Sequence, residues 1–551
     1  MNDARALEGR DHLIGAALCV GYLLLLMGTA SDLAMSRDES FYVHAAKSSA
    51  SWITQLVRDP SSALQQQSID RAWRYNWEHP AWMKLSFAWS WLAQKHLGLF
   101  PNESLAFRFP GMLTAGLLLW LIYAWGAAVM RRQGAFFAAL AFALMPRVFY
   151  HSHLACFDVP IAFFITLTAY TYWRALADRR WVPLTGLAFG LALATKHNSW
   201  MLPGILLIHF LWIRRDEARA TRTERASIAW LPSMLLLGPL VLIGSWPWLW
   251  HDTGSRLLAY VRFHLRHVHY TYEYLGTSYF EPPLPVSVPF VMTLFTVSLT
   301  VLALSLLGVY YRRTQLRPPW LTKPNDPTGR RTDVLWLGCM LAPLLAIALP
   351  TSPIFGGTKH WITAYPFLAL FAGWGFLAVI ESAELWMGRR SVSWSLAALC
   401  LLPGAIETAH SHPFGLSHYT PVAGGVPGAA DLGMNRQFWG FTTGSLASWI
   451  SEKLPEGGSV WTCDTTHGSW AMLQRDGIIA STVRPASSMS DADLVLVHHE
   501  AHFNEVDYQA WVAFGSVQPV FVLRYDGVPV ISVYENPAQK QATQAAEPDQ
   551  E

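Results

Sequence analysis

Charge is scarce in this chain. Of its 551 residues only 14% are charged while 52% are hydrophobic, a balance that excludes both an ordinary soluble enzyme of this length and a disordered polyelectrolyte. Cysteine is scarcer still. Cys19, Cys156, Cys339, Cys400 and Cys463 are scattered, odd in number and without CxxC spacing, so neither a disulfide framework nor a cysteine-ligated zinc site is indicated. No phosphate-binding P-loop, dinucleotide glycine fingerprint or HExxH occurs, which removes support for ATP-driven transport and zincin chemistry. The internal repeat that marks many secondary transporters is also missing. The net charge of +2 is spread over loops instead of gathered on one face, which argues against nucleic acid as a partner.

What the chain has is apolar length and 27 Trp. A helix needs roughly 20 apolar residues to cross a hydrocarbon core. Eleven runs approach that length, at about 13–31, 109–130, 134–150, 158–174, 182–196, 199–213, 228–250, 286–310, 334–350, 361–380 and 392–409. The fifth and sixth are short, so tilted or re-entrant segments are an alternative there. Half of the 40 Lys and Arg fall in alternate loops, at 5–10, 131–132, 174–180, 214–225, 312–331 and 389–390. Because basic residues resist translocation, this pattern predicts a cytoplasmic N-terminus and an extracytoplasmic C-terminal segment. The first run lacks a cleavage pattern before Asp38 and reads as a retained anchor.

The spans organise the rest. Residues 1–409 form the predicted membrane domain, within which 32–108 is a first outside loop too long to be a connector. Its runs Ser48 to Val57 and Ala81 to Leu97 have helical apolar spacing and read as interfacial helices, with Trp73, Trp77, Trp82 and Trp91 as belt residues. Residues 410–536 read as a small α/β domain, with a helix at 443–454, strands at Ser459–Thr462 and Asp493–His498, and a hairpin turning at Asp526-Gly527. The tail 537–551 reads as disordered.

Unusual polar residues collect on the outside. Asp38 and Glu39 follow the first span, Glu78-His79 and Lys84 lie in the long loop, and His151, His153 and Asp158 join the third and fourth spans. Lys196-His197 joins the fifth and sixth, Arg256 to Tyr274 follows the seventh, and Lys359-His360 joins the ninth and tenth. Ionisable groups at membrane depth are costly unless they serve a site. One-sided carboxylates, imidazoles and isolated lysines suit a reaction between a lipid-borne substrate and a water-side acceptor, with a carboxylate as base and cations on a lipid phosphate. His151 and His153 could hold a metal with Asp158, or belong to a hydrated loop. Arg256, Arg262 and Arg266 recur at helical spacing, either over a donor phosphate or against ordinary anionic headgroups. Lys196 and Lys359 stand in short outside loops where basic residues are disfavoured, which points to phosphate contact. His410, His412 and His418 open the outer domain and either reach back to the site or form a turn.

The motifs carry a family resemblance. Arg37-Asp38-Glu39 with Tyr42, Glu78-His79-Pro80 with Lys84, Arg108-Phe109-Pro110, Asp158-Val159-Pro160 and Thr195-Lys196-His197-Asn198 occur in an order that resembles the GT-C superfamily. The resemblance is to its glycosyltransferase family 39, the branch of protein O-mannosyltransferases and lipid A aminoarabinose transferases, and covers about residues 10 to 400. It implies a polytopic α-helical fold and transfer of a sugar from a polyprenyl-phosphate donor, with inversion, at the non-cytoplasmic face. That is the periplasmic face if the membrane is a bacterial inner membrane.

The resemblance implies Asp38 as general base, Glu39 beside it, and Glu78 near the donor phosphate or a divalent metal (Mg, Mn or Zn). It implies Lys84 on phosphate and leaves Asp158 between positioning and acceptor contact. Completing the expected set are Arg37, His79, Lys196, His197, Arg256, Arg262, Lys359 and His360 on the donor phosphate, and Glu78, His151 and His153 around a metal. Expected partners are the bilayer, the lipid-linked sugar and a protein, lipid or glycan acceptor. The alternative is a transporter or flippase for a lipid-linked or anionic cargo.

Overall fold

The structure, a computed structural model, describes residues 5–216, 226–317, 327–354, 356–387 and 392–537. The expected disordered tail beyond 537 and parts of the arginine-rich loops at 214–225, 312–331 and 389–390 lie outside the described residues.

Each of the eleven apolar runs contains helix, but not eleven full-length spans. By length and composition four described helical stretches suffice to cross a membrane, Gly9–Asp32, Glu103–Val129, Arg331–Ala348 and Ile362–Leu385, and up to six if each of two bent pairs is one span. Those pairs are Arg132–Ala143 with Pro146–His153, bent by 69°, and Val288–Thr296 with Leu299–Tyr311, bent by 120°. The difference has local causes. Pro146 ends one helix and opens the next at its first position, where a missing N–H costs nothing. The fifth run supplies only the short helix Val182–Leu193.

Small residues let the apolar helices meet closely. A Cβ on Gly308 would stand 1.9 Å from the Phe371 carbonyl oxygen, and one on Gly375 1.9 Å from that of Leu304. The helices Leu299–Tyr311 and Tyr365–Met387 therefore touch backbone to backbone, the arrangement glycine permits in membrane bundles.

The long segment 32–108 is helical, as its spacing predicted, but its first helix starts eleven residues earlier, at Arg37, and runs to Arg58. A capping box explains the start: the Ser36 side chain accepts from the Glu39 amide while Glu39 accepts from the Ser36 amide. Such reciprocal capping fixes a helix N-terminus. A second helix spans Trp82–Leu97. The tryptophans here pack inward more than belt residues would. Trp73 is buried against Trp52, with ring centroids 5.6 Å apart, and Trp91 stacks on Phe107 at 5.9 Å.

Residues 458–535 contain a five-stranded sheet. Strands β3 (Gly458–Thr462), β4 (Val483–Pro485), β5 (Leu494–His498), β6 (Phe521–Tyr525) and β7 (Val528–Glu535) lie in the order β4-β3-β5-β7-β6. The first three are parallel, and β7 is antiparallel to both its neighbours. The hairpin turns where Asp526 and Gly527 have φ of 49° and 79°, both positive as a two-residue I′ turn requires. A shorter hairpin, β1 (Tyr272–Tyr274) and β2 (Thr277–Tyr279), was not foreseen in the sequence.

The sheet region sits on the amino end of the helix that begins at Arg37. Arg37 Nη1 lies 2.6 Å from Asp464 Oδ1 and its amide donates to the Trp439 carbonyl. Thr466 donates to Ser40, Ser469 to the Ser36 carbonyl, and Arg475 pairs with Glu103.

Candidate active site

A cavity of about 800 Å³ opens between this helix, the ends of the apolar helices and the sheet region. Its wall includes Arg37, Asp38, Tyr42, Glu78, His79, Arg147, Lys196, His197, His264, Glu273, Lys359, His360, Trp439 and Glu500. Chain segments more than 400 residues apart thus meet around one space, large enough for a sugar and its phosphate.

The capping box splits the pair Asp38-Glu39. Glu39 occupies the third helical position and turns inward, 0% exposed, where Arg108 Nε donates to it at 2.8 Å and the Ala155 amide at 2.9 Å. Arg108 also donates to the carbonyls of Ala30, Leu33 and Ala34. Glu39 is therefore a buried strut and does not line the cavity, in contrast to the expectation that it shapes the pocket. Asp38, one position earlier, points the other way. Its Oδ2 accepts from Lys359 Nζ at 3.0 Å, and Oδ1 has no hydrogen-bond partner among the described residues. Lys359 also lies 4.2 Å from the centre of the Trp439 ring.

Lys196 is held by Asp158 at 2.6 Å, and Asp158 Oδ2 lies 3.7 Å from His151 Nδ1. Lys196 lines the cavity while Asp158 does not, so the carboxylate acts by holding the lysine. Glu78 lines the cavity and accepts from the Asn76 amide group at 2.8 Å. His79 is wedged between Tyr42 and Phe157, with centroids 5.4 and 5.1 Å away. His197 stacks on His264 at 4.0 Å. Burial holds the imidazoles of His79, His197 and His360 well below the usual range, and the nearby lysines act in the same direction. His264 is pushed down to about 4, again mainly by burial. These rings are neutral hydrogen-bonding groups near pH 7.

Several expected site residues lie elsewhere. Lys84 is 1% exposed, does not line the cavity, and donates to the carbonyls of Asn76 at 2.8 Å and His79 at 2.7 Å. Burial pushes its ammonium down to about 7, and its geometry braces the Glu78-His79 turn. Arg256 pairs with Asp70 at 2.7 Å and lies over Trp248 at 3.9 Å, while Arg262 faces solvent. Neither lines the cavity. On that helix, Thr253–Leu265, the cavity-facing positions are Phe263 and His264, so the arginine spacing turns Arg256 into a buried contact with protein and Arg262 to solvent.

The metal set does not assemble. His153 is engaged by Thr29 at 2.8 Å and by the Phe149 carbonyl at 2.8 Å, and neither His151 nor His153 shares the cavity wall with Glu78. Among the described residues no three His, Cys, Asp or Glu side chains converge as a metal would require. Of the histidines that open the outer domain, His410 contacts Asp526, His412 contacts Asp32 and His418 contacts Tyr525. They tie the turn at 410–418 to its surroundings.

Other wall residues were not singled out from the sequence. Arg147 is 3% exposed, and its only sequence signal was a basic residue at the predicted outside end of the run 134–150, a signal like the one that marked Lys196 and Lys359. Glu273 comes from the β1–β2 hairpin, and Glu500 and His502 come from the sheet region. Their side chains meet there: His502 lies 3.6 Å from Glu273 and 3.5 Å from Glu500. Burial, with Asp464 alongside, raises the Glu500 carboxyl well above the usual range.

Residues 79–250 match the sequence profile of the dolichyl-phosphate-mannose-protein mannosyltransferase family. The chain resembles that family there. The matched segment carries His79, Lys84, Arg108, Arg147, Asp158 and Lys196 of the structures just described. No curated protein matches the chain. Among solved structures it is similar to ArnT from Cupriavidus metallidurans bound to undecaprenyl phosphate, at 14% identity, covering 94% of this chain and 97% of that one, with a TM-score of 0.46. The apo oligosaccharyltransferase of Archaeoglobus fulgidus is similar at 12% identity, covering 92% and 71%, with a TM-score of 0.49. The mycobacterial arabinofuranosyltransferase AftD is similar at 13% identity, covering 97% and 40%, with a TM-score of 0.43.

Proposed function

We propose that the protein is an integral membrane glycosyltransferase of the GT-C type, moving a sugar from a polyprenyl-phosphate donor to an acceptor on the non-cytoplasmic face. The observation that carries this reading is Asp38 in the cavity wall, with Oδ2 on Lys359 and the opposite oxygen unengaged among the described residues. In the proposed reaction Asp38 removes the acceptor hydroxyl proton as the acceptor oxygen attacks the anomeric carbon. The bond from that carbon to the phosphate oxygen breaks, and polyprenyl phosphate leaves with the bonding electrons. One displacement inverts the configuration and needs no enzyme nucleophile. Developing negative charge on the leaving phosphate is stabilised by fixed cations in a partly dry cavity.

The family match at 79–250 supports a sugar and a lipid phosphate as substrates. The proposed domain division is a transferase domain to residue 409 and an outer domain over 410–536, whose Trp439, Glu500 and His502 help to enclose the cavity. Since Glu78, His151 and His153 do not converge, no step is routed through a metal.

The test is mass spectrometry of envelope glycans, lipids and glycoproteins from cells with and without the active protein, paired with transfer assays on purified protein. The expected result is one sugar-bearing species that disappears with the protein and is rebuilt only from a polyprenyl-phosphate-linked donor. Normal glycans together with vectorial movement of an intact lipid-linked cargo would overturn the reading in favour of transport.

A further inference from the structure

Four Lys or Arg side chains line the cavity, and three are matched by carboxylates: Arg37 by Asp464, Lys196 by Asp158 and Lys359 by Asp38. The fourth, Arg147, has no carboxylate partner among the described residues. It is 3% exposed. Its guanidinium lies 5.2 Å from the centre of the Tyr419 ring, Nη2 reaches the His418 carbonyl only at 3.5 Å, and the buried Nε has no partner among the described residues. The other carboxylates of the wall are Glu78, engaged by Asn76, Glu273, engaged by the Ala501 amide and His502, and Glu500, which lies 3.5 Å from His502 and whose carboxyl is held protonated by burial, so none of them supplies Arg147 with a matching charge.

An arginine cannot escape burial by losing its proton, as a lysine can, so a buried and unmatched guanidinium calls for an anion. Gly357, next to the Gly356 that the Lys359 side chain crowds, leaves room for one beside it. Gly357 has φ +55°, and a Cβ there would lie 3.7 Å from Arg147 Nη1. The same cavity is lined by Met201, Pro343, Ala346 and Ile347 from apolar helices, so an anion reaching Arg147 from the membrane side would carry an apolar chain. Lys84, the lysine that the family resemblance assigns to phosphate, meanwhile does not line the cavity and donates to the backbone carbonyls of Asn76 and His79.

We infer that Arg147 binds the phosphate of a lipid-linked anion, taking in this protein the role that the resemblance gives to Lys84. The inference rests on the lipid-linked donor reading above. Guanidinium matches phosphate through two parallel hydrogen bonds, where an ammonium acts as a point charge.

The experiment measures affinity of the full-length protein in nanodiscs for polyprenyl phosphate, polyprenol and inorganic phosphate, comparing the wild type with Arg147→Gln, Arg147→Lys and Lys84→Met. Loss of a paired charge-assisted contact should weaken polyprenyl phosphate binding about tenfold or more in Arg147→Gln. Arg147→Lys, which keeps the charge and guards against a misfolded glutamine variant, should weaken it roughly three- to tenfold. Lys84→Met should remain within about threefold of wild type, since that lysine makes no cavity contact. Wild-type affinity in both Arg147 variants, or a larger loss in Lys84→Met than in either, would overturn the inference and leave the glycosyltransferase reading standing. A wild type that binds polyprenol as tightly as polyprenyl phosphate would overturn the donor reading itself. Binding of inorganic phosphate as tight as that of the lipid would assign Arg147 to a free anion and overturn the lipid-linked part.

Discussion

Replacing Asp38 by Asn removes one proton acceptor and almost no volume, so it separates chemistry from folding. A positioned general base contributes about 10²- to 10⁴-fold to a rate, which corresponds to roughly 3 to 5 kcal/mol of barrier at about 1.4 kcal/mol per tenfold. The stability cost should be smaller. Breaking a fully buried ion pair costs about 3 to 5 kcal/mol, while an exposed pair is worth about 0 to 1 kcal/mol. The Asp38 side chain is 21% exposed and that of Lys359 6%, and the Trp439 face continues to hold the lysine, so about 1 to 3 kcal/mol is expected. The assay is single-turnover transfer from a polyprenyl-phosphate sugar, with donor affinity and melting temperature measured on the same preparation. A rate at least 100-fold lower, donor affinity within about threefold and a well-folded protein are expected. If D38N kept more than about a third of the wild-type rate, the base assignment would be refuted. Lys359→Met adds a second check: if the lysine acts by orienting Asp38, its loss should matter much less in the D38N background, as coupled sites require.

Three further outcomes follow from the geometry. Glu39→Gln and Arg108→Met each leave a buried partner unmatched and should cost about 3 to 5 kcal/mol; detergent-solubilised protein with an unchanged melting temperature would contradict the strut role. The buried imidazoles of His79, His197, His264 and His360 have folded values lowered below 6.5, His264 to about 4. The folded state therefore binds fewer protons than the unfolded one, and this contribution to stability is full above pH 6.5 and lost as pH falls towards 4. Melting temperatures that stay flat or rise from pH 7 to 4.5 would refute it. Glu500 acts in the opposite sense, because its raised carboxyl value gives stability present at low pH and lost as pH rises through that value. Glu500→Gln should hence gain relative to wild type as pH increases, and a pH-independent difference in melting temperature would count against the buried acid.

The parts of this molecule that rest on local pattern were legible in the chain. Apolar runs became helices because hydrophobicity and length act within one segment, and the turn at Asp526-Gly527 was readable because only certain residues adopt two positive φ angles in succession. Long-range pairing was not legible, and it decides which residues belong to the site. Asp38 and Glu39 are adjacent and chemically alike, yet the capping box at Ser36 turns one into the cavity and the other onto Arg108. Lys84 and Arg147 make the same point for cations. Lys84 sits in the motif and is spent on two carbonyls, whereas Arg147 sits in the first turn of the second helix of a bent pair, Pro146–His153, and is left without a carboxylate among the described residues. What distinguishes them is the supply of competing acceptors around each side chain, a three-dimensional quantity that no spacing records. The usable sequence signal was topological: Arg147, Lys196 and Lys359 all fall at the predicted outside ends of apolar runs, against the positive-inside tendency, and all three line the cavity. Arg256 and Arg262 break that tendency too, but Arg256 is met by Asp70 of the long first loop and by Trp248 of the turn before its own helix. A buried basic residue on the predicted outside therefore requires a partner, whereas an exposed one such as Arg262 is satisfied by water, and whether the buried residue's partner is protein or substrate depends on whether the loop beside it has an acid to spare.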